Sequence, residues 1–430
     1  MVYQRQEKVT FINDFSGGLV TQRSELNKMP LNSTPDSMDT YADEDGALHK
    51  RLGRTRLNSS QAGAGTKDGN GLFDFQGTLV GSFGTTYYYM EELDGTWNSL
   101  QTGMADEVIE CENYIGNLII CNWAHDSAKT MQNGATSLSN LTTSVAGTGK
   151  HPKIYKDHLC VSGVQGYPYT FYYSQVSDFD DFADGGTWPV QTHNGDELTG
   201  WGELEDRLYA FKSWSIHQMT FRGGSPYWAR RQITYDVGSP ASRTIKTVQL
   251  KNGEQVILFL GADKRIYEFN GFDVRAVSAA FDRPNGISSI CMQSLNQGAL
   301  KYSHAVVDTV KKHYILYVAN GGSSTMTHGL VYNYHTGACW PFSNQTLKSS
   351  AQVIDANDRR WIIAADYDGY AYKWDYGNRD HETTISSYHT TPRFLLEPGT
   401  AQEAFEVTLD LKQVSDDSVS FRHRTDYQDD

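Results

Sequence analysis

The chain has 430 residues, enough for one large β domain with appendages or for roughly two or three ordinary domains, so burying a core is no limitation. Its 37 Lys and Arg against 51 Asp and Glu leave a formal charge of −14, which argues against an ordinary nucleic-acid-binding surface, because affinity for phosphates is carried by basic side chains. Five scattered cysteines (Cys111, Cys121, Cys160, Cys291, Cys339) without C-x-x-C spacing suggest neither a disulfide framework nor a zinc site and are expected to be reduced thiols.

The N-terminus lacks the apolar core of a signal peptide, and the longest apolar run, VILFL at 256–260, is too short to span a bilayer, so synthesis and folding in a cytoplasm without membrane insertion are expected. Residues 1–60 hold glycine turns, prolines and isolated apolar residues but no sustained periodicity. A segment of that kind cannot bury a face of its own. It predicts an extended arm pinned onto a larger body, with Phe15, Gly17, Gly18, Leu19, Gly46 and Leu48 as the anchoring residues. One glycine of the Gly17–Gly18 pair should need a positive φ.

From residue 61 to 385 the pattern changes. Aromatics make up 12% of the chain and glycines number 39, a pairing of β-formers with turn-formers that predicts an all-β fold. Apolar strands, Gly/Asp/Asn turns and aromatic-ended strands recur: TLVGSFGTTYYYM (78–90), VIECENYIGNLIICNW (108–123), KIYKDHLCVSG (153–163), RLYAFKSWSIHQMTF (207–221), QVILFLGADKRIYEFNG (255–271), GLVYNYHTGACWPF (329–342) and RRWIIAADYDGYAYKWD (359–375). The units lie roughly 45 to 55 residues apart, the length of a four-stranded propeller blade. The expected architecture is a β-propeller, six blades favoured and seven allowed, with a stack of β-sandwiches as the competing arrangement. Residues 386–430 predict a C-terminal β segment, AFEVTLDL and SVSFRHR, that docks or begins a further β domain.

Catalytic and cofactor motifs fail on inspection. HETTI (381–385) has Ile385 where a zinc protease needs its second His, and SVAGTGKHP (144–152) has Ser144 and His151 where a phosphate loop needs Gly and Ser or Thr. MEELDGTW (90–97) and FADGGTW (182–188) put Asp94 and Asp184 out of register for sialidase turns and are better read as tight turns capped by a packed Trp. SDFDDFADGG (177–186) could ligate calcium but lacks a bidentate Glu, so an acidic solvated loop is the preferred reading. No enzyme, cofactor or metal is expected.

Several motifs do occur in a recognisable order. Phe15, Gly17, Gly18 and Leu19 are followed by Pro35, Asp36 and Asp39, then by Asp43, Asp45, Gly46, Ala47, Leu48, Lys50, Arg51 and Gly53. FYYSQVSDFDDF (171–182), GELEDRLYAFKSWSIHQMTF (202–221), DKRIYEFNGFDVRAVS (263–278) and GLVYNYHTGACWPF (329–342) continue the order. The set resembles the propeller-bearing nozzle or hub proteins of short-tailed bacteriophages, also called tail tubular protein B or packaged-DNA stabilisation protein, over about residues 11–345, with Asp39 where the family often has Asn.

The resemblance implies a structural virion protein of the tail. It would form a hexameric ring that extends and closes the DNA ejection channel, between a tail adaptor of the tail tubular protein A kind and a tail fibre or tip protein. DNA would pass without specific binding, since an acidic wall repels it. On this reading Lys50, Arg51, Arg54 and Arg56 contact a neighbouring subunit, and Asp178, Asp180, Asp181 and Asp184 face the channel. The alternative is a receptor-binding or glycan-cleaving tail propeller.

Overall fold

The computed structural model describes residues 12–21, 29–63, 67–141, 145–192, 195–224, 227–282, 290–392 and 420. The chain divides into two compact units, and nearly all described residues belong to Phe11–Arg393. The strands expected at AFEVTLDL and SVSFRHR fall outside the described residues.

Seven small antiparallel sheets form a seven-bladed β-propeller, one blade more than the favoured count. Blade I comprises Gly69–Phe75, Thr78–Phe83, Thr86–Glu91 and Asn98–Thr102; blade II, Ile109–Tyr114, Asn117–Asn122, Lys129–Gln132 and Ser139–Asn140; blade III, His151–Tyr155, His158–Ser162, Thr170–Tyr173 and Gly186–Pro189. Blade IV runs through Leu198–Leu204, Arg207–Lys212, Ile216–Phe221 and Trp228–Gln232; blade V through Lys246–Gln249, Gln255–Leu260, Ile266–Phe269 and Val274–Ala276; blade VI through His304–Asp308, His313–Val318, His328–Asn333 and Cys339–Phe342. Blade VII has three local strands, Ser349–Ile354, Arg360–Ala365 and Ala371–Trp374, and takes its fourth, Arg54–Arg56, from the N-terminal arm. The seven runs quoted from the sequence fall one to each blade.

Blade sheets are covered on both faces, so their middle strands read as continuous apolar runs rather than alternating ones. In blade V, Val256, Ile257, Leu258, Phe259 and Leu260 are all buried. Even residues of this run (Val256, Leu258, Leu260) enter the core shared with blade VI, and odd ones (Ile257, Phe259) the core shared with blade IV. Each of the seven blade–blade seams carries one such cluster, including the seam between blades VII and I, where Ile363, Ala365 and Val353 meet Leu72, Leu79 and Phe83. The ring is therefore closed by packing all the way round.

The turn residues follow the same economy. Asp94 accepts from the Thr96 amide at 2.8 Å, and Trp97 packs edge-on to Phe83 with centroids 5.0 Å apart, so MEELDGTW is a Trp-capped turn.

Candidate functional site

Two places bring chemically distinctive residues together: the ring closure and the propeller axis. At the closure, the arm crosses the edge of blade VI to reach blade VII. Gly18 and Leu19 pair in parallel with Ser33 and Thr34, and Leu19 and Met38 enter the core between blades V and VI. Gly18 has φ +62°, and a Cβ there would stand 2.8 Å from the Cys339 amide nitrogen, so the position requires glycine twice over. The Phe15 amide donates to the Gly46 carbonyl at 2.9 Å, and the Phe15 ring lies edge-on to His389 at 5.3 Å. Gly46 has φ +83° against Asp14, while Gly17 donates to the Asn32 carbonyl and Leu48 pairs with Ala42.

Arg51 is the centre of this closure. Only 2% exposed, it donates from Nε to Asp39 at 2.5 Å and from its two terminal nitrogens to Asp380 at 2.9 and 2.5 Å. Burial pulls the guanidinium pKa down, but the hydrogen bonds and charges of the two carboxylates outweigh it and the net shift is upward. Asp39 holds φ +58°, a left-handed conformation that Asp and Asn tolerate better than other L-residues, and it also accepts from the Ser343 amide at 2.9 Å. The same requirement accounts for either residue type at that position.

The basic segment, expected to contact a neighbouring subunit, makes the following contacts within its own chain. Arg51 is spent inside its own chain, and Arg54 and Arg56 sit in the closing strand with their guanidinium carbons 5.1 and 3.7 Å from the ring centroids of Tyr372 and Tyr370. Lys50 lies in the strand Leu48–Lys50, paired with Thr40. Two buried carboxylates and two aromatic faces of the same chain engage Arg51, Arg54 and Arg56. Sequence reasoning missed Asp380 because it lies 329 residues from Arg51.

At the axis, the first strands of all seven blades surround a cavity of about 300 Å³. Its wall carries three carboxylates, Glu110, Glu112 and Glu203, and three cations, Lys153, Arg243 and Lys246, so its formal charge is balanced rather than acidic. Glu110 accepts from His151 at 3.0 Å, from the Trp123 indole at 3.1 Å and from the Ser242 hydroxyl. Burial pushes its pKa up, and the charge and hydrogen bond of His151 lead the contributions that bring it below the usual value. Lys153 bridges Glu112 at 3.1 Å and Glu203 at 3.3 Å. The cavity holds a few waters or one small molecule.

The acidic loop of blade III joins that blade's third and outermost strands, away from this axis. Asp178 accepts from the Asp180 amide at 3.1 Å, and Asp181 accepts from the Ala183 and Asp184 amides at 2.9 and 3.1 Å. Among the described residues no group of three or more His, Cys, Asp or Glu is placed to hold a metal ion. Four of the five cysteines are buried and Cys111 is half-buried, all without a disulfide. A wider groove of about 570 Å³ opens between blades V and VI, but His335 and Lys312 on its wall already face the backbone oxygens of Gln249 and Thr309.

No family model matches the chain, and no curated protein matches it. Among solved structures it is similar to the computationally designed Ika8 protein, at 9% identity and a TM-score of 0.43, over 74% of this chain and 99% of the designed one. It is also similar to the extracellular domain of a protein from B. thetaiotaomicron described as a hybrid two component system, at 8% identity and a TM-score of 0.49, over 75% of this chain and 39% of that one.

Proposed function

We propose that the chain is a structural virion protein, a subunit of a short-tailed phage nozzle or hub ring that extends and closes the DNA ejection channel. The observation that carries this reading is the role of the opening motif. Residues through which the N-terminus resembles the nozzle family (Gly18, Asp39, Gly46, Arg51 and Gly53) are the ones that fasten the arm and close the propeller. At Gly53 a Cβ would fall 1.8 Å from the Arg379 carbonyl oxygen, so no larger residue fits without backbone movement. A motif with that much geometric content is a signature of one architecture rather than a run of small residues.

Because the axial cavity of about 300 Å³ is too small for a duplex, the conduit on this reading lies between copies. The acidic perimeter of blade III, with Asp178, Asp180, Asp181 and Asp184, is the surface proposed to approach it, and a net charge of −14 per copy keeps DNA from adhering. The test is light scattering and negative-stain imaging of the purified chain across a salt series. Six-fold rings are expected at moderate salt; a monomer under every condition would overturn the reading.

One observation favours the alternative of a receptor- or glycan-binding tail propeller. Tyr167, Tyr169 and Trp214, on the loops between second and third strands of adjacent blades III and IV, are 49%, 36% and 45% exposed, and Tyr235 on the connection to blade V is 79% exposed. Exposed aromatic faces suit sugar rings. New reducing ends on incubation with host polysaccharide, or binding abolished by Trp214→Ala, would put this reading first.

A further inference from the structure

The axial wall is divided by how well its polar groups are satisfied. Its carboxylates are engaged: Glu110 by His151, Trp123 and Ser242, and Glu112 and Glu203 by Lys153. On the side formed by blades V, VI and VII the donors are not. His304 is 2% exposed and neither ring nitrogen has a partner; the ring is held instead by stacking on Tyr317 at 4.7 Å. Arg243 donates to the Tyr302 and Lys348 carbonyls from its terminal nitrogens, leaving Nε buried and unpartnered. Lys246 feels the charges of Glu110, Arg243 and Glu112 but makes no hydrogen bond or ion pair among the described residues. The Ser350 hydroxyl, also on the wall, is unpartnered too.

Leaving Arg243 Nε, the His304 ring nitrogens and the Ser350 hydroxyl buried without acceptors is costly, because each forfeits its hydration without replacement. Burial, with Arg243 and Lys246 adding to it, keeps His304 neutral, so its ring offers one N–H. A guanidinium N–H, an ammonium, an imidazole N–H and a hydroxyl, all from residues lining one cavity, are the donor types that pair with an oxyanion. We propose that the axial cavity binds a small oxyanion, a phosphate or a carboxylate-bearing molecule, through Arg243 Nε, Lys246, His304 and Ser350. The cavity volume of about 300 Å³ admits such a molecule and excludes a polymer.

The experiment is calorimetric titration of the full chain with inorganic phosphate in chloride buffer, run on wild type, Lys246→Met and His304→Phe. The Phe replacement keeps the ring that stacks on Tyr317, and Lys312→Met in the groove between blades V and VI serves as a control. Wild type and the control should bind one phosphate per chain. Lys246→Met and His304→Phe should each weaken it by roughly ten- to a hundredfold, the size of one lost charge-assisted hydrogen bond. Absence of saturable binding in wild type overturns the proposal, as does binding that neither axial variant weakens. The measurement is indifferent to ring assembly, so its failure and the failure of the nozzle reading are separate results.

Discussion

Blades IV and VII are built from the same four-stranded plan and are held by opposite means. Blade IV is contiguous from Leu198 to Gln232, and its buried Trp228 packs against Phe171 and Phe221 at 5.1 and 5.2 Å. Blade VII pairs Tyr372, Lys373 and Trp374 with Arg56, Thr55 and Arg54, more than 300 residues away. Each blade also buries a cation. Lys212 in blade IV donates to the Thr192 hydroxyl at 3.2 Å and to the Asp196 backbone carbonyl, and burial, partly offset by the Asp196 charge, drops its pKa to about 8. Arg51 beside blade VII meets two carboxylates. A contiguous blade finds its register through short turns, whereas a composite one must recognise a distant segment, and a buried charge triad supplies a recognition that apolar packing alone does not.

The sharpest break in the comparison is Arg51→Met. It leaves Asp39 and Asp380 buried without a counter-charge and should cost about 3–5 kcal/mol, read from urea midpoints. Trp228→Ala should cost a similar amount, about 3–5 kcal/mol, by opening a cavity. The two should differ in place: hydrogen exchange should rise in blades VII and I for Arg51→Met and in blades III and IV for Trp228→Ala. Identical exchange maps would mean that closure is not a separate unit.

Gly18→Val should cost less, about 1–2 kcal/mol for a forced left-handed residue, with a further contribution from the contact at Cys339. Limited proteolysis should then cut within residues 1–60 while blade IV stays resistant. Unchanged protection of the arm would show that its other anchors suffice.

Lys212→Met should change stability by about 1 kcal/mol or less at pH 7, because both oxygens it leaves lie near solvent. Its pH signature is more informative. The folded pKa is depressed to about 8 from 10.5, so the unfolded state holds the extra proton between those values, and stability from this group rises with pH across that window. The variant should lose that rise.

Histidines give the same sign on the acid side. Burial, assisted by Lys311, holds His313 at about 3, and burial, assisted by Arg230 and Lys212, holds His217 at about 4. Both unfold to a pKa near 6.5, so their contribution is full above about pH 6.5 and is lost as pH falls toward those lower values. His313 lies edge-on to Tyr41 of the arm at 5.5 Å, and His313→Phe should flatten the acid dependence without opening the closure. Parallel pH curves for variant and wild type would exclude that histidine as a source. Smallest of all, Asn at positions 178, 180, 181 and 184 should move stability by no more than about 0.5 kcal/mol. On the nozzle reading it should strengthen ring assembly at low salt, where the Debye length reaches roughly 30 Å at 0.01 M.

The hairpins of blades I to VI were legible because strand, turn and strand are adjacent: VILFL followed by GADKR and IYEF can hardly be anything else. Blade VII was half legible, since RRWIIAADYDGYAYKWD marks its middle strands but nothing local says where the outer one comes from. The axial set was invisible for the same reason. Glu110, Lys153, Arg243 and His304 are ordinary residues on separate elements, and only a closed ring makes them neighbours.

Sequence by itself determined the all-β class, the propeller with its repeat length, and the need for a positive φ at one glycine of the Gly17–Gly18 pair. These are local properties, set by propensity and by which φ values a residue allows. Tertiary structure alone decided the seventh blade, the partners of Arg51 and the charge balance of the axis. Those depend on contacts hundreds of residues apart, whose free energy exists only once the ring has closed and excluded water from both ends of each pair.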